Sequence, residues 1–211
     1  MSVGDPVAIG LVDSLAHPGQ NATGFSDILA ELSGKLVDVA RELIYPQMII
    51  PYLWHTAWPD GRNRYEATEQ AARSAGMWLE PKGIADISEL EGALTAIKQS
   101  GSTALIVQPS PFTYLHRGDM ITSAMKKGLG TVFAVPVAAR EGALIAYGPD
   151  YVHMYGRAPY YVDRVLKGTT PADLPVERAT RVEFLVNLNV AKALKIEVPL
   201  SLLIRADDLL D

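Results

Sequence analysis

The sequence contains no cysteine. Disulfides, thiolate zinc sites and cysteine nucleophiles are therefore excluded together. Basic residues are also few, since 19 Lys and Arg residues against 24 Asp and Glu residues give a formal net charge of −5. No block of Lys or Arg occurs, so there is no electrostatic reason to expect nucleic acid or an anionic membrane as a partner.

Long hydrophobic runs are missing as well. The longest ones, such as residues 48–54, are far shorter than the ~20 residues that span a bilayer. The segment Met1–Val7 lacks a basic region followed by a long apolar region, so the chain as written carries no secretion signal and is expected in the cytoplasm. With 211 residues, 48% of them hydrophobic, the chain can form one large domain or two small ones around a buried core.

Signatures of catalysis are equally scarce. The four histidines (His17, His55, His116 and His153) do not have the spacing of metal ligands. The sequence contains no GxSxG elbow, no Walker loop and no GxGxxG fingerprint. We therefore expect neither an enzyme nor a cofactor nor a metal site.

Short β-rich runs alternate with helical stretches, which is typical of βα units around a parallel sheet. The predicted helices cover about 30–43, 63–75, 86–100, 117–127 and 150–166, and the predicted strands 21–26, 48–54, 77–82, 103–108, 131–135, 143–147 and 182–188. Pro159 would kink its helix because it cannot donate to the Tyr155 carbonyl, and Gly148-Pro149 would end a strand. The predicted architecture is a doubly wound α/β fold, in which ligands collect at the carboxyl ends of the strands.

Several runs of residues match a known family. They are Gly4–Val7, Leu15–Phe25, Ala146–Asp150, Tyr161–Gly168, Pro171–Val176, Phe184–Leu188 and Leu202–Asp207. In sequence and in order they resemble motifs of the substrate-binding proteins of ABC transporters, in a subgroup that is often uncharacterised or linked to aromatic amino acid uptake. The resemblance covers essentially the whole chain.

This resemblance implies an α/β fold like the periplasmic binding proteins of type I, with parallel sheets flanked by helices and the ligand held between two lobes. Residues 1–27 and 146–177 would form an incomplete first lobe, and residues 28–145 and 178–211 a complete second lobe. Family members carry several βα units before the motif that begins here at Gly4. Most of the first lobe is therefore expected to be missing, through a truncated gene, a misassigned start or a fragment.

The function implied by the resemblance is that of a non-enzymatic solute-binding component of an ABC-type importer. It would bind an amino acid or a similar small molecule, work in the periplasm and deliver its ligand to an ABC permease. The alternative is a cytoplasmic ligand-sensing or orphaned interaction domain with the same fold. A homodimer is also expected, because an incomplete lobe would expose apolar side chains at Val7, Ile9, Leu11, Val12, Leu15, Tyr155, Tyr161, Val162 and Val165.

Seven residues are candidates for contact with the ligand. Trp54, Thr56 and Trp58 follow a predicted strand, where an indole could stack on a ring of the ligand or face a cation, or could instead pack into the core. Asp5 could accept a hydrogen bond from a ligand ammonium or, alternatively, cap the segment that begins at Pro6.

The other three candidates follow later strands. Ser110 lies between two prolines, and its hydroxyl could be free to meet the ligand or could belong to a plain turn. Arg140 could bind a carboxylate with two hydrogen bonds, or could form a solvated pair with Glu141 at the rim. Tyr147 could present its hydroxyl to the ligand, or could pack at the hinge.

Overall fold

A computed structural model describes residues 2–29 and 31–211. The chain divides into two compact units. Unit 1 comprises Met1–Glu31 and Pro149–Val182, and unit 2 comprises Leu32–Gly148 and Glu183–Asp211. The predicted lobe boundaries, after residues 27, 145 and 177, lie a few residues before these divisions.

Strands and helices alternate along most of the chain. In chain order they are β1 (Ser2–Val3), β2 (Phe25–Ser26), α1 (Ser33–Ile44), β3 (Ile49–His55), α2 (Gly61–Ser74), β4 (Trp78–Ile84), α3 (Leu90–Gln99), β5 (Ala104–Val107), α4 (Pro111–Leu115), α5 (Arg117–Lys126), β6 (Gly130–Phe133), α6 (Pro136–Arg140), β7 (Ile145–Pro149), α7 (Tyr151–Gly156), α8 (Ala158–Leu166), β8 (Glu177–Arg178), β9 (Val182–Asn187), α9 (Leu188–Leu194), α10 (Leu200–Arg205) and β10 (Asp208–Leu210). Among the described residues, no helix combines the length and the apolar character needed to cross a membrane.

Unit 2 is built on a seven-stranded sheet with the strand order β10-β9-β7-β6-β5-β3-β4. The pairs β3–β4, β3–β5, β5–β6, β6–β7 and β9–β10 all run parallel. The central strand β5 reads Ala-Leu-Ile-Val and is buried throughout, as expected for a parallel strand covered on both faces. The predicted parallel α/β fold is confirmed.

The helix α1 shows how sequence periodicity produces this packing. The apolar residues predicted to form one helical face are all buried: Leu32, Leu36, Val39, Ala40 and Leu43. Spacings of three and four place them on one side of the helix, which packs against the sheet.

The predicted strand end at Gly148-Pro149 is wrong, because β7 continues through both residues. Gly148 lies so close to the Ala134 carbonyl that a Cβ atom would collide with it. The glycine is therefore required by the approach of two backbones rather than by a turn.

Unit 1 has a three-stranded parallel sheet in the order β1-β2-β8 and a small core. Phe25, Met154, Tyr161 and Leu174 form a buried cluster, in which the Phe25 and Tyr161 rings pack edge to face at 5.2 Å. The expectation that Tyr161 and Val12 are exposed is wrong, since they are 7% and 2% exposed. Tyr161 is drawn inward because its ring meets Phe25 and its hydroxyl donates to the Pro175 carbonyl at 2.8 Å.

The single kinked helix predicted over 150–166 is also wrong. The segment forms two helices, α7 and α8, which are separated at Arg157. Pro159 lies in the first turn of α8, where its missing N–H costs nothing. Asp150 caps α7 as predicted, by accepting a hydrogen bond from the His153 N–H at 2.9 Å.

Candidate functional site

The carboxyl ends of β3 and β5 in unit 2 bring together most of the predicted ligand contacts. β3 ends at His55 and β5 at Val107, and these two strands are neighbours in the sheet. The residues that follow them, 56–60 and 108–110, are called the carboxyl-edge loops below. Because the strands are parallel, both loops lie at the edge where ligands of α/β sheets collect.

Gln108 ties the two carboxyl-edge loops together. Its side chain is fully buried, its Oε1 accepts from the His55 N–H at 3.3 Å, and its Nε2 donates to the Gly61 carbonyl at 2.8 Å. A Cβ atom at Gly61 would lie 2.6 Å from the His55 carbonyl oxygen, so only glycine allows this close approach. The start of α2 is thus fixed against the end of β3 by one amide group.

A row of rings crosses the same edge. Phe112 lies in the middle of the row. The His55 imidazole stacks on the Phe112 ring with a centroid distance of 4.2 Å and an interplanar angle of 13°, and the centre of the His116 ring lies 4.7 Å from that of Phe112. His55, Phe112 and His116 are each partly exposed. The row therefore offers aromatic surface to solvent at the end of β3.

Trp58 is held by a buried guanidinium. The Arg64 guanidinium carbon lies 5.1 Å from the centre of the Trp58 ring, and Arg64 Nε donates to Asp60 Oδ2 at 2.8 Å. The residue Arg64 is only 9% exposed, and its Nη1 has no hydrogen-bond partner in the described part of the chain. Such a contact between a cation and a ring fixes the Trp58 side chain, which remains partly exposed.

Trp54 and Thr56 differ from Trp58 in what they contact. The Trp54 ring stacks on Tyr65 of α2 at 5.6 Å, which is the packing alternative considered for this residue. Thr56 is exposed, and its backbone N–H donates to the Ile84 carbonyl at 2.9 Å. Thr56 therefore leaves its side chain available, whereas much of the Trp54 ring is used within the fold.

The expectation of a free hydroxyl at Ser110 is wrong. Ser110 caps α4, since its Oγ accepts from the Thr113 N–H at 3.1 Å while the Thr113 hydroxyl accepts from the Ser110 N–H at 3.0 Å. Ser110 is also buried. The two prolines do not isolate the hydroxyl, because Pro111 occupies the first position of a helix.

Arg140 and Tyr147 lie farther along the sheet. Arg140 ends α6 and its Nη2 pairs with Glu183 Oε2 at 2.9 Å, with Arg140 48% exposed, so the partner is Glu183 rather than the expected Glu141. Tyr147 lies in β7 and packs edge to face on Phe184 at 5.5 Å. Its hydroxyl has no hydrogen-bond partner among the residues that the structure describes.

Asp5 belongs to unit 1. Its Oδ1 accepts hydrogen bonds from the Val7 and Ala8 N–H groups at 3.1 and 2.9 Å, which is a local turn. Asp5 does not cap a helix, which was the alternative considered for it, because a turn and not a helix follows at Pro6.

Sequence reasoning did not single out Arg64, Gln108 or Phe112. A usable signal existed for Gln108, which is a polar residue placed directly after a fully apolar strand. Arg64 also lies four residues after Asp60, the spacing of an ion pair on a helix. Phe112 carried no such signal, because its contact with His55 joins segments that are distant in sequence.

Two further features limit the chemistry of this edge. Burial raises the pKa of Tyr52, which lies in β3 below His55, to about 12, so this hydroxyl stays protonated. Within residues 2–29 and 31–211, no three His, Asp or Glu side chains are placed to hold a metal ion. The arrangement consists of aromatic surface, fixed amides and exposed polar side chains, which suits binding.

Comparison with known proteins identifies the family. The profile of the family described as ABC transporter substrate binding protein matches residues 1–210. A tyrosine-binding protein of Clostridioides difficile is 26% identical over 204 residues, which are 93% of this chain and 56% of that protein. This chain thus spans little more than half the length of that relative.

Solved structures show the same fold. A conserved domain protein from Vibrio cholerae O1 biovar eltor superposes with a TM-score of 0.85 at 24% identity, over 97% of this chain and 68% of that one. An ABC domain from Streptococcus pneumoniae in complex with L-Trp superposes with a TM-score of 0.83 at 21% identity, over 99% and 72% of the two chains. The matched family consists of binding proteins, so the prediction that the chain is not an enzyme is confirmed. Because the profile matches nearly every residue, the protein belongs to the family of ABC transporter substrate-binding proteins.

Proposed function

We propose that the protein is the solute-binding component of an ABC-type importer and that its ligand contacts the carboxyl-edge loops of unit 2. The observation that carries this proposal is the set of partly exposed rings that neighbouring side chains hold at one edge of the sheet. Trp58 is fixed by Arg64, and Phe112 is fixed by His55. A binding site needs such fixed surface because ordering mobile side chains would weaken binding.

The proposed ligand is an aromatic amino acid or a compound of similar shape. Support comes from the rings themselves, since an aromatic ligand gains most by stacking on Trp58 or on the row formed by His55, Phe112 and His116. It also comes from the relatives, one described as tyrosine-binding and another solved with L-Trp. The polar contacts we propose beside Thr56 are the half-exposed guanidinium of Arg140 and the hydroxyl of Tyr147, which has no hydrogen-bond partner within residues 2–29 and 31–211.

Some predicted contacts take a smaller part in this proposal. Trp54 packs on Tyr65 and Ser110 bonds to Thr113, so both would act by supporting the carboxyl-edge loops. Binding between two lobes, and with it the contribution of Asp5, stays a prediction from the resemblance.

Titration calorimetry with L-tyrosine, L-tryptophan, L-leucine and glucose tests the proposal. Binding of the two aromatic amino acids, with weaker or no binding of the others, is the expected result. Trp58→Ala is expected to weaken this binding about tenfold through the loss of a stacking contact. Trp78→Ala is the matched control, because Trp78 is 68% exposed at the first residue of β4 and therefore lies at the opposite edge of the sheet.

Two results would contradict the proposal. One is equal binding of L-tyrosine by the Trp58→Ala variant and by the unchanged protein. The other is binding of glucose in preference to both aromatic amino acids.

We further propose that the protein acts outside the cytoplasm and delivers its ligand to an ABC permease, as members of its family do. Fractionation of cells that express the gene from its own locus tests the location. Recovery of the protein only from the cytoplasmic fraction would favour the ligand-sensing alternative.

The homodimer remains part of the proposal. Its support is the exposed apolar surface of α7 and α8, where Val152, Tyr155, Val162 and Leu166 are 86%, 53%, 56% and 81% exposed. Apolar patches of this kind are normally covered by a partner. Light scattering is expected to give the mass of a dimer for the unchanged chain and of a monomer for Leu166→Glu.

Leu115→Glu is the matched control for the dimer, because Leu115 is 74% exposed in unit 2. This variant should keep the dimer. A monomer for the unchanged chain at moderate concentration would rule out self-association through unit 1.

A further inference from the structure

A concave surface lies at the amino-terminal edge of the seven-stranded sheet in unit 2. It is a groove of about 410 Å³ between the end of α1, the first residue before β3, the end of α2 and the start of α10. We call it the amino-edge groove. Its volume falls in the range of small-molecule sites, which is roughly 300–1,000 Å³. The carboxyl-edge loops lie at the other end of the same strands, so this groove is separate from the proposed solute site.

The lining of the amino-edge groove is mainly apolar. Its apolar lining residues include Tyr45, Met48, Met77 and Pro199, of which Met77 is only 2% exposed and forms the floor. Tyr45 and Met48 are 79% and 51% exposed, which is unusual for large apolar side chains. Methionine side chains are flexible and polarisable, so a groove lined by two of them adapts to apolar ligands of different shape.

Two further exposed apolar side chains lie at the same edge of the sheet, outside the lining of the groove. Ile49 and Trp78 are paired across β3 and β4, and they are 49% and 68% exposed. The Trp78 N–H donates to the Met48 carbonyl at 2.9 Å, which places Trp78 beside the groove. Side chains of directly paired residues lie on the same face of a sheet, so Ile49 and Trp78 form one continuous patch rather than two scattered residues.

The polar side chains that line the groove differ in whether they already have hydrogen-bond partners. The carboxylate of Glu42 is already used, since it accepts from Arg205 Nη2 at 2.6 Å and from Ser201 Oγ. The amide of Gln47 is used as well, because its Nε2 donates to the Gly101 carbonyl at 3.1 Å.

Arg41 is the polar group that remains available. Its side chain is 46% exposed, and its nearest acidic partner, Asp38, lies 4.0 Å away, too far for a hydrogen bond. A guanidinium carries five N–H donors and prefers carboxylates, so Arg41 offers an anion contact at the edge of an apolar groove.

We propose that the amino-edge groove binds a free amphiphilic carboxylate, a molecule with an unbranched apolar body and one carboxylate. The apolar body lies against Met48, Met77 and Tyr45, and the carboxylate accepts hydrogen bonds from Arg41. The charge of Glu42, the carboxylate in this lining, is balanced by its ion pair with Arg205. This site is independent of the solute site at the carboxyl-edge loops.

Titration of the full chain with decanoate and decanol, kept below the concentrations at which they aggregate, tests the proposal. Decanoate is expected to bind more tightly than decanol. Arg41→Gln is expected to weaken decanoate binding about tenfold, the effect of losing a hydrogen bond to a charged group, and to leave decanol unchanged. Met48→Glu is expected to weaken both, because it places a negative charge at the mouth of the groove.

Arg62→Gln serves as the matched control, because Arg62 is 80% exposed on α2 and pairs with Glu66, away from the groove lining. This variant should bind decanoate like the unchanged protein. Arg41 and Met48 are both exposed, so a thermal melt should show that their variants remain folded.

Unchanged decanoate binding in both groove variants, or an equal loss in Arg62→Gln, would overturn the proposal. Binding of decanoate only as part of phospholipid vesicles would also overturn it, since the ligand would then be a membrane. Titration of the same variants with L-tyrosine separates the two sites. Unchanged binding of the amino acid is expected, because the proposed solute site lies at the carboxyl-edge loops, and its loss would overturn the independence of the groove.

Discussion

Unit 2 and unit 1 differ in how completely each removes its apolar side chains from water. In unit 2 the strands β3, β5 and β7 place Leu53, Ile106 and Ile145 in the core with no exposed surface. In unit 1 the helices beside the cluster formed by Phe25, Met154, Tyr161 and Leu174 leave Val152 and Leu166 more than four-fifths exposed. Small units bury a smaller fraction of their surface and are correspondingly less stable.

The difference shows where each unit obtains its stability. Unit 2 has an extensive apolar core, whereas in unit 1 polar contacts between distant segments accompany the buried cluster. Arg157 binds Glu177 with two hydrogen bonds at 2.6 and 3.1 Å, and Tyr161 binds the Pro175 carbonyl at 2.8 Å. Substitutions in the two units should therefore have effects of different size and of different dependence on pH.

The largest effect is expected for Ile106→Ala in the centre of unit 2. Removing a fully buried aliphatic side chain should lower the free energy of unfolding by about 2–5 kcal/mol, through lost burial and the cavity left behind. Urea denaturation followed by hydrogen exchange of β5 measures this loss. Leu115→Ala, at an exposed site of the same unit, should stay within about 0.5 kcal/mol of the unchanged protein.

Gln108→Ala should have the next largest effect. It leaves the Gly61 carbonyl and the His55 N–H without their partner in a buried place, at a cost of about 1–3 kcal/mol. Gln99→Ala is the control, since Gln99 is exposed at the end of α3. Equal stability of the two variants would show that the Gln108 amide does not hold the carboxyl-edge loops.

Tyr161→Phe should lower the stability of unit 1 by about 1 kcal/mol, because it removes the hydrogen bond to Pro175 and keeps the ring in the core. Hydrogen exchange of the amides in α8 is the suitable measurement. Tyr160→Phe is the matched control, since the neighbouring Tyr160 is 47% exposed. An effect in unit 2 instead would contradict the separation of the two units.

The smallest expected effect is on the pH dependence of the stability of unit 1. The hydrogen bonds that Glu177 accepts from Arg157 hold the pKa of Glu177 below the ordinary value of 4.5. Burial raises this pKa, but by less than the hydrogen bonds lower it. Because the pKa is lowered in the folded state, the stabilisation is present above about pH 4.5 and is lost as the pH falls through the lowered value. Thermal melts of unit 1 between neutral and acid pH should show this loss.

Glu177→Gln should remove this part of the pH dependence. Glu197→Gln is the control, because Glu197 is exposed in unit 2 and takes part in no ion pair among the described residues. If both variants kept the pH profile of the unchanged chain, the contact between Arg157 and Glu177 would not stabilise unit 1.

The parallel α/β fold could be predicted because each of its strands and helices is recognisable from a short stretch of the sequence. The run Ala104–Val107 and the periodic face of α1 identify their elements from composition and spacing alone. The helix α4 was not predicted, because Pro109 and Pro111 suggested only the end of a strand. The pairing of Ser110 with Thr113, which starts that helix, is visible once the capping pattern is sought.

The candidate site was predicted less completely, for a different reason. Its position at the carboxyl edge follows from the parallel sheet, and Trp58 and Thr56 lie there as expected. The contacts that fix the site join Gln108 to Gly61 and Phe112 to His55, and such distant pairs leave no periodic signal in the sequence. The burial of Tyr161 was missed likewise, because its partner Phe25 lies far away along the chain.

The side chain of Gln108 has a mechanical consequence for ligand recognition. Its oxygen accepts a hydrogen bond from the last residue of β3, and its nitrogen donates one to the first residue of α2, so the same carboxamide couples the positions of the two segments. If the ligand contacts the carboxyl-edge loops as we propose, a displacement of either segment on binding would be passed to the other through this one amide.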